Sequence, residues 1–423
     1  NYSFLLEYEF MRNTVLRTGY QGSRGTRLFG VPFNINREDP FTGALPYPGF
    51  QGRANASIFV IHPTNSDSWY NAYTFEVERR YYQGLQFRFN YTWSKALDNS
   101  SGGINFPIPN NSFNNATGDI PFLRNQNPYA LNLEKSVAPT NQPHVFNTVA
   151  FWDVPVGQGK KFLNRGGWLN HFLGDWQMSG LSRIRSGFPI TTSLGGTNSL
   201  DLGTPGGGLR PDLIPGVPLR NPDWTNENAL FTPYINPRAF AWPEPGQYGN
   251  AARYFSVNLP WVRTFDASLI KRIRPWKESR RQLELRVEVF NALNVRNYEG
   301  AGQSLFGGIA QHPLLLGAQG ARTVNPNVQN RFGNLRAPGV WDAIIAKSFG
   351  TPVDQAIADL PGPGGARGCP ANAAELAPAN TSAALSPACV ARALNLNGGF
   401  GRLGINNQQL QPRIVQFALR LYF

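Results

Sequence analysis

Apolar and polar positions alternate with a period of two in several stretches of the chain, and such alternation specifies strands with one apolar face. The clearest runs from Leu85 to Ser94, where Leu85, Phe87, Phe89, Tyr91 and Trp93 oppose Gln86, Arg88, Asn90, Thr92 and Ser94. The closing stretch Arg413 to Phe423 repeats it, with Val415, Phe417, Leu419, Leu421 and Phe423 against Gln416, Ala418, Arg420 and Tyr422. Read the same way, strands are expected at Tyr2–Phe10, Thr14–Tyr20, Tyr70–Arg79, Val145–Trp152, Trp176–Arg185, Phe265–Ile273 and Gln282–Phe290. The segment Val340–Phe349 is also apolar, but counting it as one more crossing breaks the order of the connections. It is placed inside the last long loop, as part of a hairpin.

Connection lengths organise these nine strands. Short links follow the first, third, fifth and seventh strands; long Gly-, Pro- and Asn-rich segments follow the second, fourth, sixth and eighth. A soluble sandwich has no reason to gather every long loop at one end. An outer-membrane barrel does, with short periplasmic turns and longer extracellular loops. The expected fold is therefore all-β: an antiparallel transmembrane β-barrel of nine spanning strands, its last long extracellular loop covering residues 291–411. Bacterial barrels normally have an even strand number, and an open edge in lipid leaves backbone groups unsatisfied. The first and last strands are thus expected to pair with strands of a missing barrel part or of a completing chain. Residues 1–423 read as the C-terminal part of one barrel domain, with Asn1 opening a mature or internal piece that lacks a signal peptide.

Composition narrows the chemistry. No apolar run of about 18 residues forms a membrane helix, which leaves barrel strands untouched. The net charge of +13 favours acidic partners: nucleic acid, lipopolysaccharide or an anionic ligand. The basic residues are scattered singly, without the clustered Lys/Arg and interleaved aromatics of a nucleic-acid surface, so no nucleic-acid partner is expected. Cys369 and Cys389 share one Pro/Ala-rich segment and suit a disulfide in an oxidising compartment; closing that loop is worth about 3 kcal/mol in the chain-entropy model. His62, His144, His171 and His312 are dispersed and show no metal-ligand spacing. GQGKKF from Gly157 lacks P-loop spacing and reads as a periplasmic turn, GGTNSLDLGTPGGG from Gly195 has too few Ca²⁺ ligands, and no GxSxG elbow occurs. No enzyme activity, metal or cofactor is expected.

Several stretches resemble the Oar-like TonB-dependent receptors of Gram-negative bacteria. YNAYTFEVERRYYQGLQFRFNYTWSKALDNSSG from Tyr70 is similar to that family's YNALQ…GLQF…YTWSKSID pattern. HVFNTVAFWDVPVGQGKKFLNRG from His144, GDWQMSGLSRIRSGFPIT from Gly174, FDASLIKRI followed by LELRVEVFNALN, GFGRLG from Gly399 and the closing PRIVQFALRLYF follow in the family's order. The resemblance implies the C-terminal half of a barrel of about 22 strands, with a plug domain and a carboxypeptidase-regulatory-like N-terminal domain that this stretch does not include. It implies energy coupling through a TonB-type complex of the inner membrane, and recognition of the terminal Phe423 by the barrel-assembly machinery. The segment between His312 and Gly398, which bears the cysteines, departs from the family pattern and reads as an insertion.

If the alternation holds, Glu76, Glu78, Arg88, Glu284, Arg286, Glu288 and Arg420 line the lumen. They are the candidate contacts to a ligand or plug; the competing role is cross-strand ion pairing that keeps a polar lumen satisfied. The functional expectation is TonB-dependent transport of a bulky ligand across the outer membrane. The alternative is a surface adhesion or assembly protein built on the same barrel.

Overall fold

The computed structural model of the chain describes residues 1–28, 64–99, 131–157, 159–164, 172–193, 210–229, 232–241, 248–273, 282–298, 401–403 and 412–422, with a few isolated positions between them. Nine long strands form one antiparallel sheet in chain order: β1 (Tyr2–Met11), β2 (Thr14–Leu28), β3 (Ser66–Tyr82), β4 (Leu85–Asp98), β5 (His144–Asp153), β6 (Trp176–Arg185), β7 (Val262–Ile273), β8 (Gln282–Phe290) and β9 (Ile414–Tyr422). Each pairs with its neighbours in the sequence, and the two-residue strand Ser136–Val137 adds to β4. The path ends at β1 on one side and β9 on the other, and these two do not pair with each other.

Five of the nine strands match the alternation to within a residue or two, and β7 begins three residues before the expected Phe265. Three do not: β2, β3 and β4 run well past the expected Tyr20, Tyr70 and Ser94 at the long-loop end. Gly22 and Gly25 read as loop in the sequence, yet Gly22 pairs with Asn71 and Gly25 with Ser68. The space over Gly22 is filled by the Tyr2 ring of the neighbouring strand, where a Cβ would collide, so a neighbouring aromatic supplies the packing the glycine lacks. A tilted membrane strand needs about 9–11 residues. The 17 residues of β3 therefore carry it, with its two neighbours, beyond the bilayer. The short link between β3 and β4 is a two-residue turn in which Gln83 and Gly84 both have positive φ, 52° and 81°. That geometry matches the twist of the flanking strands.

Register confirms the two faces. One row of directly opposed residues reads Tyr8, Leu16, Val77, Phe89, Thr148, Ser182 and Phe265. The next reads Glu7, Arg17, Glu76, Asn90, Asn147, Arg183 and Thr264. The apolar face is exposed, as in Phe4, Phe417 and Leu419, which are 71%, 79% and 63% accessible. Such a face has no place in water at this extent. It is bounded at the long-loop end by Tyr2, Tyr20, Tyr73, Trp93 and Trp261, where His144 stacks between Tyr91 and Trp261 at 6.2 and 5.9 Å. At the short-turn end it is bounded by Trp152 and Trp176. These two aromatic edges sit where membrane interfaces place such residues. Lys271 lies on this face by register, but its ammonium donates to the Gly174 carbonyl and stands 5.5 Å from the centre of the Trp176 ring. The long stem thus reaches the interface.

The Val340–Phe349 segment departs from expectation where it is described: Asp342, Ala343, Ile345 and Ala346 are helical, not part of a strand hairpin. Ala, Ile and Asp in a row of small and apolar residues lack the strict alternation that a strand face requires. The disulfide positions Cys369 and Cys389, the terminal Phe423 and the short link at 274–281 lie outside the described residues.

Candidate functional site

The polar face of the sheet carries two ion-pair networks near the short-turn rim. In the first, Arg17 on β2 donates Nε to Glu7 on β1 at 2.9 Å and Nη1 to Glu76 and Glu78 on β3 at 2.7 and 2.5 Å. Arg88 on β4 reaches Glu78 at 2.8 Å. The sequence singles out Glu76, Glu78 and Arg88, but Arg17, the cation that joins three of the carboxylates, and Glu7 are missing from that set. Their signal was available: both sit on the polar parity of strands one and two.

In the second network, Glu284 on β8 accepts from Arg272 on β7 at 3.3 Å and from Arg286 at 3.0 Å, and Arg286 also reaches Glu288 at 3.4 Å. Arg272 is again a cation absent from the expected set. It donates to Gln177 on β6 at 3.2 Å, Gln177 donates to Asp153 on β5 at 3.0 Å, and the Tyr81 hydroxyl donates to Asp153. The contacts run without a break from β3 to β8. Arg420 stands opposite Glu284 in register, yet it is exposed and makes no ion pair among the described residues. Glu284 already takes two guanidinium groups, which leaves Arg420 outside the network. An exposed pair such as Arg88 with Glu78 contributes little to stability individually, whereas the buried Glu284 carboxylate depends on its two guanidinium groups.

Next to Asp153 and Gln177, toward the long-loop end, the same face is apolar. Val149 and Phe151 on β5 and Leu181 on β6 point the same way as Arg88 and Asp153, and are 36%, 42% and 49% accessible.

At the long-loop end the connections fold into a packed layer that sequence reading misses. Glu134 is fully buried and receives a two-pronged contact from Arg210, at 2.7 and 3.2 Å. Arg210 Nε donates to the Ala251 carbonyl at 2.8 Å. Arg253, 1% accessible, donates to the backbone carbonyls of Glu134 and Asp98 at 3.2 and 3.0 Å and pairs with the Asp98 carboxylate. Two buried guanidiniums thus meet two carboxylates and three carbonyls, as buried charge requires. Beside them Trp224 packs edge-on to Tyr234 and Tyr298 at 5.0 and 5.8 Å. The Gly401 carbonyl accepts from the backbone N–H of Tyr234 and Ile235. Residues from the loops after β4, β6 and β8 are joined in this one layer. Burial pushes the Tyr254 phenol above its ordinary value. The exposed Glu227 carboxyl is held below the usual range by a backbone N–H and then the Thr225 hydroxyl.

No group of His, Cys, Asp and Glu among the described residues has the arrangement of a metal site. The link containing Gly157 folds as a tight turn, with Gly157 N–H donating to the Phe162 carbonyl and Lys160 N–H to that of Gly157.

Residues 1–325 match the family model described as outer membrane beta barrel domain. No curated protein matches the chain. Among solved structures it is similar to the outer membrane transporter YddB from Escherichia coli, with 9% identity and a TM-score of 0.34, over 70% of this chain and 28% of that one. The chain thus spans just over a quarter of that transporter's length. With more than three quarters of its residues inside the family model and one face of its sheet built for lipid, the chain belongs to the outer membrane beta barrel domain family and resides in the cell outer membrane.

Proposed function

We propose that this chain is the C-terminal part of the barrel of an Oar-like TonB-dependent transporter, which moves a bulky ligand across the outer membrane with energy from the inner membrane. The observation that carries this reading is the polar face: matched charges beside the short-turn rim, with the exposed apolar strip Val149, Phe151 and Leu181 next to them. A small closed barrel fills its interior with its own side chains. This face instead presents apolar groups with nothing packed on them within the described chain. Such a strip suits a plug domain seated at the periplasmic end.

The open edges support the same reading. β1 and β9 are separated by an even number of steps in an antiparallel sheet, so both run from the long-loop end to the short-turn end. Antiparallel closure then takes an odd number of further strands, from a longer chain or a companion chain. A larger barrel of even count results, of the size that holds a plug. Membrane lipid and lipopolysaccharide contact the outer face, a TonB-type complex supplies the energy, and the assembly machinery reads the Phe423 end.

A cysteine at Phe151 tests this in the full-length protein, in a background where Cys369 and Cys389 are Ser. Labelling by a membrane-impermeant maleimide is expected to speed up when ligand-replete cells are energised, and to slow at least fivefold when the proton gradient is collapsed or the coupling protein deleted. Equal labelling in all states sinks the energy-coupled reading. The packed layer at the long-loop end favours a second reading, a surface adhesion or assembly protein whose rigid outer loops do the binding. On that reading the labelling is insensitive to energy, and replacing the layer abolishes cell attachment.

A further inference from the structure

The long-loop half of the polar face differs from the short-turn half in one respect. Near the short turns, Arg17, Arg88, Arg272 and Arg286 each meet a carboxylate, and Arg420 stands opposite one that is already taken. On the long-loop half of β6, Arg183 and Arg185 meet no carboxylate among the described residues. Arg185 rests against the Phe188 ring at 5.6 Å and touches the Gln142 amide oxygen at 3.5 Å, both neutral. Arg183 is exposed, and its side chain has no hydrogen-bond partner among the described residues. The nearest carboxylate on the adjoining strand by register, Asp266, opposes Leu181 and accepts the Asn291 backbone N–H at 2.9 Å.

Register surrounds this cation pair with unused polar groups. Asn147 on β5 lies directly beside Arg183, and Asn90 on β4 directly beside Asn147. Thr92, one register step of the same face higher, lies in the row of Arg185. The side-chain amides of Asn90 and Asn147 have no partner among the described residues. Two residues along a strand separate the arginine Cα atoms by about 6.6 Å. Like charges held at that spacing on one wall repel each other, and neither arginine forms an ion pair among the described residues. A forked guanidinium suits an oxyanion, and amides and a hydroxyl supply further donors around it.

We infer that Arg183, Arg185, Asn90, Asn147 and Thr92 form a lumenal binding site, at the outward half of the barrel, for a ligand bearing two or more oxyanion groups, of the phosphate or carboxylate kind. The site rests on the reading of this face as a transport lumen and adds to it the chemical class of the cargo. The carboxylate-paired arginines of the two networks offer the anion no comparable attraction, so the ligand is held at this site until the path beneath it opens.

Inorganic pyrophosphate is the probe, titrated calorimetrically into the full-length protein in non-ionic detergent at low ionic strength and neutral pH. The wild type is expected to bind, and Arg183→Gln with Arg185→Gln to weaken binding at least tenfold. A double variant of equal charge loss on the short-turn link, Lys160→Gln with Lys161→Gln, is expected to bind within twofold of wild type. Arg183→Lys with Arg185→Lys keeps the charge and is expected to retain an intermediate affinity, which separates a lost site from a misfolded barrel. Absence of wild-type binding, or equal losses in the two charge-removing variants, overturns the site. Either result leaves the energy-dependent labelling at Phe151 to decide the transport reading separately.

Discussion

Replacing Glu134 by Ala will loosen the outer layer by about 3–5 kcal/mol, the usual cost of leaving a buried guanidinium without its carboxylate. Glu134 has no exposed surface, and the Arg210 fork it accepts is itself 2% accessible. Removing the carboxylate strands that fork in a setting where water cannot replace it. The Arg253 contact to the Glu134 carbonyl survives the change, because it is made to the backbone. The loss therefore falls on the segments that Arg210 joins, around residues 131–137, 210–214 and 248–253, and not on the nine strands. Hydrogen exchange of the full-length protein in detergent measures it: amides of those segments should lose protection by roughly two to four orders of magnitude, while β4 to β8 stay unchanged. Unchanged protection in the loop segments would show that the layer is held by its aromatic packing alone. Glu134→Gln keeps the shape and one acceptor oxygen and should cost less than half as much.

The second large effect separates the two faces of a single strand. Phe89 and Asn90 are adjacent on β4, with Phe89 in the row of Val77 and Thr148, and Asn90 in the row of Glu76 and Asn147. Both lie midway between the two aromatic edges. Phe89→Arg puts a cation in lipid near the bilayer midplane and should destabilise the folded protein by about 2–4 kcal/mol. The ring also packs against Phe75 and Phe146 at 6.4 Å, and that contact is lost as well. Asn90→Arg places the same charge in an aqueous, already polar wall, beside Glu76, and should cost under about 1 kcal/mol. Urea unfolding of the full-length protein from phospholipid vesicles tests both. A penalty for Asn90→Arg equal to that for Phe89→Arg would exclude the assignment of lumen and lipid faces, since a one-residue step is the whole difference between them.

The same alternation explains why the sheet was legible and the sites only partly so. Period-two patterning is a local property, and in β4 it places ten residues on two faces without reference to any other strand. Glu76, Glu78, Arg88, Glu284, Arg286 and Glu288 were accordingly placed on the polar face, and the structure puts them there, each paired with a group of opposite charge. What local patterning does not carry is the partner across the strands. Arg17 and Arg272 lie on the polar face as plainly as the others, but their importance comes from standing between carboxylates of two neighbouring strands. Arg420 shows the converse: it has the right face and register, but Glu284 is already occupied.

The sequence by itself determined the nine crossings, their faces, and the division into short-turn and long-loop ends, because each follows from the spacing of side chains along one strand or the length of one link. It stopped β2, β3 and β4 too early, since a strand that leaves the bilayer no longer needs apolar alternation and the glycines there are packed by a neighbour's Tyr2. Only the tertiary structure decided the outer layer. Arg253 reaches Asp98 across 155 residues, and Arg210 reaches Glu134 across 76, between segments with no periodicity to announce them. Burial of those charges is set by how loops from three separate connections close over one another, and closure of that kind is a property of the assembled chain.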